Sequence, residues 1–273
     1  MKSTQFRNSG PVTIENGSMQ SNIEAYCRLL SLSSVLEHYE TAAIDAAKAK
    51  ISYQEYLYTL LQRQIIDRVD RSVNARIKKA GFPYMATLDS YDFSFQPQIE
   101  ERLIRELATL SFLEEAKNIL LIGAPGVGKT HIAIALGLEA TKQRRRVKFI
   151  TAEELACELI AANRSNTIAD YLEAISRIEL LIIDEIGYLD IDKESASLFF
   201  RLISKRYEKS STIITSNKEF QEWGQIFGDD VIATAILDRL LHHSYPFLIN
   251  GPSWRMKDLL KSRENNKKTE SDS

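Results

Sequence analysis

The residues best placed to do chemistry form one short run, Gly123-Ala124-Pro125-Gly126-Val127-Gly128-Lys129-Thr130. It fits G-x-x-x-x-G-K-[ST], the pattern of a loop that wraps the phosphates of a nucleoside triphosphate. Glycines let the backbone curl round a phosphate without Cβ clashes. The amides at a helix start add donors and a positive dipole end. The pattern predicts that Lys129 reaches the β- and γ-phosphates and that the Thr130 hydroxyl binds Mg²⁺. His131 opens the expected helix, and the nucleotide-contacting set therefore runs from Gly123 to His131.

A second run, Leu180-Leu181-Ile182-Ile183-Asp184-Glu185, is apolar and ends in two carboxylates. An acid at the carboxyl edge of a parallel sheet lies beside the phosphate loop, where open α/β sheets bind ligands. Asp184 is expected to hold Mg²⁺ through water. Glu185 is expected to polarise a water for in-line attack on the γ-phosphate. Alone, two acids at a strand end could equally cap a helix; the phosphate loop is what favours chemistry. Asn217, closing the next apolar run, matches a polar group that orients the attacking water.

Arg239, in Leu237-Asp238-Arg239-Leu240-Leu241, has two readings. One is an arginine finger that reaches a neighbouring subunit's γ-phosphate. The other is a surface cation favoured by the dipole at a helix C-terminus. Arg255, in Gly251-Pro252-Ser253-Trp254-Arg255, is a further candidate for a phosphate contact. His242-His243 lacks a third ligand nearby in sequence and reads as structural or cap-related rather than metal-binding.

The elements that must position these residues follow from periodicity and punctuation. Val147–Ile150, Leu180–Glu185, Thr212–Asn217 and Tyr245–Ile249 read as strands, as does the apolar run before the phosphate loop. Between them lie helical stretches, among them one opened by the capping box Thr151-Ala152-Glu153-Glu154. Strands alternating with helices mean a parallel sheet covered on both faces. A whole strand, Val147–Ile150, separates Thr130 from Asp184 in sequence, the spacing of an ATPase with an extra strand between its two nucleotide strands.

Before the phosphate loop the chain reads differently. Residues 1–21 carry no period and are expected to be disordered. Residues 22–81 are expected to form a small all-α domain. A break near Ser31–Ser34 divides its first helices. Ser52-Tyr53-Gln54-Glu55 starts a third helix that runs to about Ala80, stopped by Gly81-Phe82-Pro83. At 100° per residue, Val69, Ala80, Val73, Ile66 and Ile77 fall within an arc of about 80°, the stripe expected to pack on the preceding helices. Arg71, Lys78, Arg68, Lys79 and Arg76 fall in a separate arc of about 160°. That face is either a solvated charged surface or one that tracks nucleic-acid phosphates. Lys142, Arg144, Arg145, Arg146 and Lys148 form a dense basic turn open to the same two readings. Residues 82–97 read as a linker whose aromatics tuck onto the following domain, 98–257, and 258–273 as a polar tail.

Bulk properties narrow the classes. The 273 residues are 44% hydrophobic and 26% charged, an ordinary globular balance. The longest apolar runs fall far short of the ~20 residues that span a bilayer. Cys27 and Cys157 are the two cysteines and form no metal-type cluster. A cytoplasmic protein without membrane association is expected. The formal net charge is −2, so any nucleic acid must be met by a local face.

Gly123–Thr130, the Leu180–Glu185 strand, Thr215-Ser216-Asn217-Lys218-Glu219-Phe220 and Leu237-Asp238-Arg239-Leu240-Leu241-His242-His243 together resemble the IstB family. These are AAA+ ATPases encoded by insertion sequences beside their transposase. The resemblance covers about residues 22–257, including the helical region. It implies an α/β AAA+ phosphate-loop ATPase with a parallel five-stranded sheet behind a small helical domain. It also implies ATP and Mg²⁺ as cofactors, double-stranded DNA and the neighbouring transposase as partners, and a homo-oligomeric ring or spiral with ATP at subunit interfaces. Lys129, Thr130, Asp184, Glu185, Asn217 and Arg239 would be the ATPase residues. The related DnaC-type helicase loaders share this core and are the closest alternative. GTP specificity is disfavoured, because Asn217-Lys218-Glu219-Phe220 has Phe where guanine recognition by N-K-x-D needs Asp.

Overall fold

The structure is a computed structural model and describes residues 18–188 and 191–256. The chain divides into two compact units, up to Ser72 and from Val73 onward.

The first unit consists of α1 (Met19–Leu29), α2 (Ser33–Ala49) and most of α3 (Tyr53–Ala80). Helix α1 begins earlier than the reading of residues 1–21 as disordered allowed, because the Ser18 side chain accepts from the Ser21 amide and caps it. The remainder of the N-terminal segment, and the tail from residue 257, lie outside the described residues. Leu32, at the N-cap of α2, has no side-chain acceptor to offer. Gln64 of α3 takes that role: its Oε1 accepts from the amides of Ser34 and Val35 at 2.9 and 3.2 Å. The Ser34 hydroxyl donates to Asp67 on the same helix.

This cap sets which face of α3 turns inward. Leu60 and Gln64 are buried there, whereas Ile66 stays 52% exposed. The apolar stripe expected to pack through Ile66 is thus not the packing face of this unit. Two amides are satisfied at this helix end, at roughly 1–3 kcal/mol each, against roughly 1.5–3 kcal/mol for burying one isoleucine. Arg71 is exposed, yet its guanidinium is engaged, donating to Ser33 and to the Asp67 carbonyl.

The last turns of α3 belong to the second unit rather than the first. Ala80 is 1% exposed within that unit's core, which places the division ahead of Gly81. The linker winds through two 3-10 turns, Leu88–Ser90 and Phe93–Phe95. There follow α4 (Glu101–Leu107), α5 (Ser111–Glu114), β1 (Asn118–Gly123), α6 (Lys129–Lys142) and β2 (Val147–Thr151). Next come α7 (Ala152–Arg164), α8 (Ile168–Ser176), β3 (Leu180–Ile186), α9 (Lys193–Arg206) and β4 (Ser211–Ser216). The unit closes with α10 (Trp223–Phe227), α11 (Asp230–His242) and β5 (Ser244–Ile249).

The strands form one parallel five-stranded sheet in the order β2-β3-β4-β1-β5. Its central strands are apolar at every position because both faces are covered. Leu120, Ile122, Leu181 and Ile183 face one core, with residues of α7, α9 and α11. Ile119, Leu121, Leu180 and Ile182 face the other, with residues of α4 and α6. The strand between β1 and β3 in space is β4; β2, between them in sequence, sits at the sheet edge. That order lets β4 contribute to the site. Among the described residues no helix is long and apolar enough to cross a membrane.

Candidate functional site

The run from β1 into α6 closes round a loop held from two sides. Gly128 caps α6 with φ +99°, and a Cβ there would come within 2.6 Å of the Tyr91 ring. A Cβ on Gly126 would collide with the Ser253 side chain. Both glycines are therefore required by close neighbours as well as by backbone conformation. The Tyr91 hydroxyl donates to the Val127 carbonyl at 3.2 Å, and the Trp254 amide donates to the Gly126 carbonyl at 2.8 Å. His131 reaches back to the linker, its ring nitrogen 2.9 Å from the Thr87 carbonyl and 3.2 Å from the Ser90 hydroxyl.

The Lys129 ammonium donates to the carbonyls of Gly123 and Ala124 at 2.7 and 2.9 Å. Burial pushes its pKa below the usual lysine value, partly opposed by Asp184. Thr130 Oγ1 donates to both oxygens of Asp184, at 2.9 and 3.1 Å. On the far side Thr215 Oγ1 donates to Asp184 Oδ1 at 2.5 Å and accepts from the Glu185 amide at 2.9 Å. Burial raises the Asp184 pKa, and the Thr215 and Thr130 hydroxyls oppose that shift.

Glu185 follows at a β-bulge. The β3–β4 register shifts between Ile183 and Ile186, and Glu185 has φ +65°. Such a bulge re-aims one side chain, and the left-handed φ is a strained conformation for a glutamate. The carboxylate of Glu185 stays exposed, at the wall of a cleft of about 220 Å³. That cleft is lined by the phosphate loop, Glu185, Thr215 and Arg255, together with aromatic residues of the linker and Trp254. Arg255 thus joins the site, close enough to Lys129 to lower its pKa electrostatically.

Asn217 does not line the cleft. Strand β4 ends at Ser216, whose hydroxyl accepts from the Lys218 amide at 3.0 Å and donates to the Lys218 carbonyl at 3.1 Å. This turn carries Asn217 off the strand and against Gly187, with its buried Oδ1 lacking a hydrogen-bond partner among the described residues. Thr215, which the sequence reading passed over, is the β4 side chain in the cleft. Strand alternation puts Thr215 and Asn217 on one face only while the strand continues.

Arg239 lies elsewhere, half-buried on α11 beside a shallow groove formed by Asp230, Thr234, Ala235 and Asp238. Its guanidinium sits 4.7 Å from the centre of the Phe200 ring and donates to the Ala235 carbonyl at 2.9 Å. No carboxylate pairs with it among the described residues. The basic turn is largely neutralised: Arg145 pairs with Glu114 and Glu179, and Arg146 with Glu179 at 3.1 Å. Arg76 donates to the Arg144 carbonyl at 3.0 Å. Arg68, Lys78, Lys79 and Arg144 are exposed.

The site fits a magnesium–nucleotide pair. A threonine hydroxyl and a desolvated carboxylate share one spot, an all-oxygen donor set of the kind Mg²⁺ takes. The loop carbonyls hold the lysine that an anionic phosphate would attract.

Comparison with known proteins agrees with this geometry. Residues 25–262 match the family described as IstB-like ATP binding protein. A Pseudomonas aeruginosa protein of insertion sequence IS21, named for ATP binding, is 45% identical over 240 residues, 88% of this chain and 91% of its own length. Its counterpart in insertion sequence IS5376 of Geobacillus stearothermophilus is 44% identical over 88% of this chain and 96% of its own. Among solved structures, the DnaC helicase loader superposes with a TM-score of 0.51 at 24% identity, over 60% of this chain and 96% of that one. AMPPCP-bound DnaA from Aquifex aeolicus gives 0.52 at 19% identity, over 63% of this chain and 51% of that one. These two likenesses are of fold, and each covers about three fifths of this chain.

Proposed function

The chain belongs to the IstB-like ATP-binding protein family, and from that membership we propose that it is a DNA-dependent ATPase of insertion-sequence transposition. In this reading it assembles on duplex DNA, selects or remodels the target, and recruits and stimulates the transposase encoded beside it. The observation that carries the reading is the Asp184 carboxylate, held between the hydroxyls of Thr130 and Thr215, with the bulged Glu185 beside it at the cleft wall.

Each side chain then has a role. Lys129 leaves its loop carbonyls for the β- and γ-phosphates. Thr130 and Asp184 would hold Mg²⁺, which when bound neutralises phosphate charge. Thr215 orients Asp184 and ties the Glu185 backbone in place. Glu185, exposed to the cleft, accepts the proton of the attacking water. Asn217, carried off the strand and outside the cleft lining, takes no part in positioning that water. Arg255 adds positive charge at the phosphates. The aromatic wall of Tyr91, Phe95 and Trp254 offers stacking surfaces for a base.

Arg239 supports a shared site. It lies outside its own chain's cleft and, among the described residues, has no carboxylate partner, as a residue that completes a neighbour's γ-phosphate site requires. The assembly is then a ring or spiral with ATP between subunits. For DNA, the exposed Arg68, Lys78, Lys79 and Arg144 are better placed than Arg145 and Arg146, which are already paired. Binding should be strongly salt-dependent and weakly sequence-selective.

The test mixes two inactive variants, Lys129→Ala and Arg239→Ala, with duplex DNA and ATP. Each alone should be inactive, and the mixture should recover part of the ATPase activity. Co-assembly without recovery would refute the shared site. Pull-down distinguishes the partner: capture of a replicative helicase in place of the transposase would favour a loader.

A further inference from the structure

The adjacent histidines at the end of α11 acquire in space the third ligand that they lack in sequence. Helix α9 ends at Arg206, and Glu208 follows two residues later with φ +58°, a left-handed conformation unusual for glutamate. Its carboxylate Oε1 lies 3.4 Å from His243 Nε2 and 3.8 Å from His242 Nδ1. One ligand atom from each of the three residues lies within 4.8 Å of the other two.

The backbones beneath these side chains are pinned. The buried Arg206 guanidinium donates to the carbonyls of Ile175, Ile178 and Ser211, anchoring the chain just before Glu208. The His243 carbonyl accepts from the Asn118 amide at 2.8 Å, and the Asn118 side chain donates to the Leu240 carbonyl at 3.1 Å. Both histidines are therefore tied to the start of β1.

We propose that Glu208, His242 and His243 bind a divalent transition-metal ion, with Zn²⁺ the best match. Bonds of roughly 2.0–2.2 Å to imidazole nitrogen and carboxylate oxygen put tetrahedral ligand atoms roughly 3.4 Å apart. Glu208 and His243 already have that spacing, and His242 needs only a small side-chain adjustment. Two imidazoles and one carboxylate suit zinc, whereas an all-oxygen set would suit magnesium or calcium. The Tyr207 hydroxyl, 2.7 Å from His242 Nδ1, gives up that nitrogen when the ion binds. With three protein ligands, one position stays open to water. The ion would tie the end of α9 to the end of α11, the helix that carries Arg239.

The experiment uses the full chain without a histidine tag, titrated with Zn²⁺ by calorimetry and with Co²⁺ by visible absorption. The expected result is one ion per chain and a tetrahedral cobalt spectrum. His243→Ala and Glu208→Gln should each weaken binding by at least about tenfold, with unchanged circular dichroism. Cys157→Ser, which removes an exposed thiol, should leave binding unchanged. No stoichiometric binding, or equal affinity in a His242→Ala/His243→Ala double variant, would overturn the proposal and leave Glu208 as a plain ion-pair partner of the histidines.

Discussion

Replacing Thr215 by valine keeps the branched shape of the side chain and deletes one hydroxyl. That hydroxyl donates to Asp184 at 2.5 Å and accepts from the Glu185 amide at 2.9 Å. A hydrogen bond to a charged group is worth roughly 1.5–3 kcal/mol, and the part-buried Glu185 amide left without a partner costs at most roughly 1–3 kcal/mol. If the first loss is felt in the transition state, kcat for ATP hydrolysis should fall roughly ten- to a hundredfold, at about 1.4 kcal/mol per factor of ten. The second loss should lower the unfolding temperature. The pH profile gives an independent readout. The Thr215 bond favours ionised Asp184 against a burial that raises its pKa. Without that bond the pKa rises further, and the acid limb of activity moves to higher pH. Thr215→Ser, which keeps the hydroxyl, should restore most of the rate. Steady-state kinetics at varied Mg²⁺ and pH, with thermal unfolding alongside, read all of this. Wild-type kcat with an unshifted acid limb in Thr215→Val would refute the role given to Thr215.

Three further outcomes follow from the same contacts. Because the folded-state pKa of Asp184 lies above its unfolded value, its ionisation opposes folding once the pH exceeds the ordinary carboxylate range. Asp184→Asn should therefore raise the unfolding temperature of the nucleotide-free protein at neutral pH while abolishing magnesium-dependent hydrolysis. Arg206 is 1% exposed, its pKa is lowered to about 9 by burial, and it satisfies three carbonyls and the Thr212 hydroxyl. Arg206→Met leaves these carbonyls without a donor, at roughly 1–3 kcal/mol each, and should lower stability in denaturant unfolding; Lys should not rescue it because it lacks the planar fork. Tyr91 is pushed up to about 12, chiefly by burial, so its neutral hydroxyl contributes stability below pH 10 that is lost as the pH rises through 12. Tyr91→Phe should flatten unfolding temperature against pH across that window.

The sequence by itself determined the sheet, the phosphate loop and the two acids. Those features are local: continuous apolar runs, a fixed glycine spacing and carboxylates at a strand end each carry their meaning within a few residues. The capping box at Thr151 was legible for the same reason, its two hydrogen bonds spanning only three positions. Only the tertiary structure decided the rest. Thr215 enters the site because β4 lies between β1 and β3, a lateral order that no short stretch encodes. Asn217 leaves it because Ser216 closes a turn one residue earlier. Gln64 turns α3 by capping a helix thirty residues away, against the apolar stripe that periodicity favours. Glu208 meets the histidines only because α9 and α11 end side by side. In each case the deciding partner is distant in sequence, and a hydrogen bond or metal ligand acts through distance in space alone.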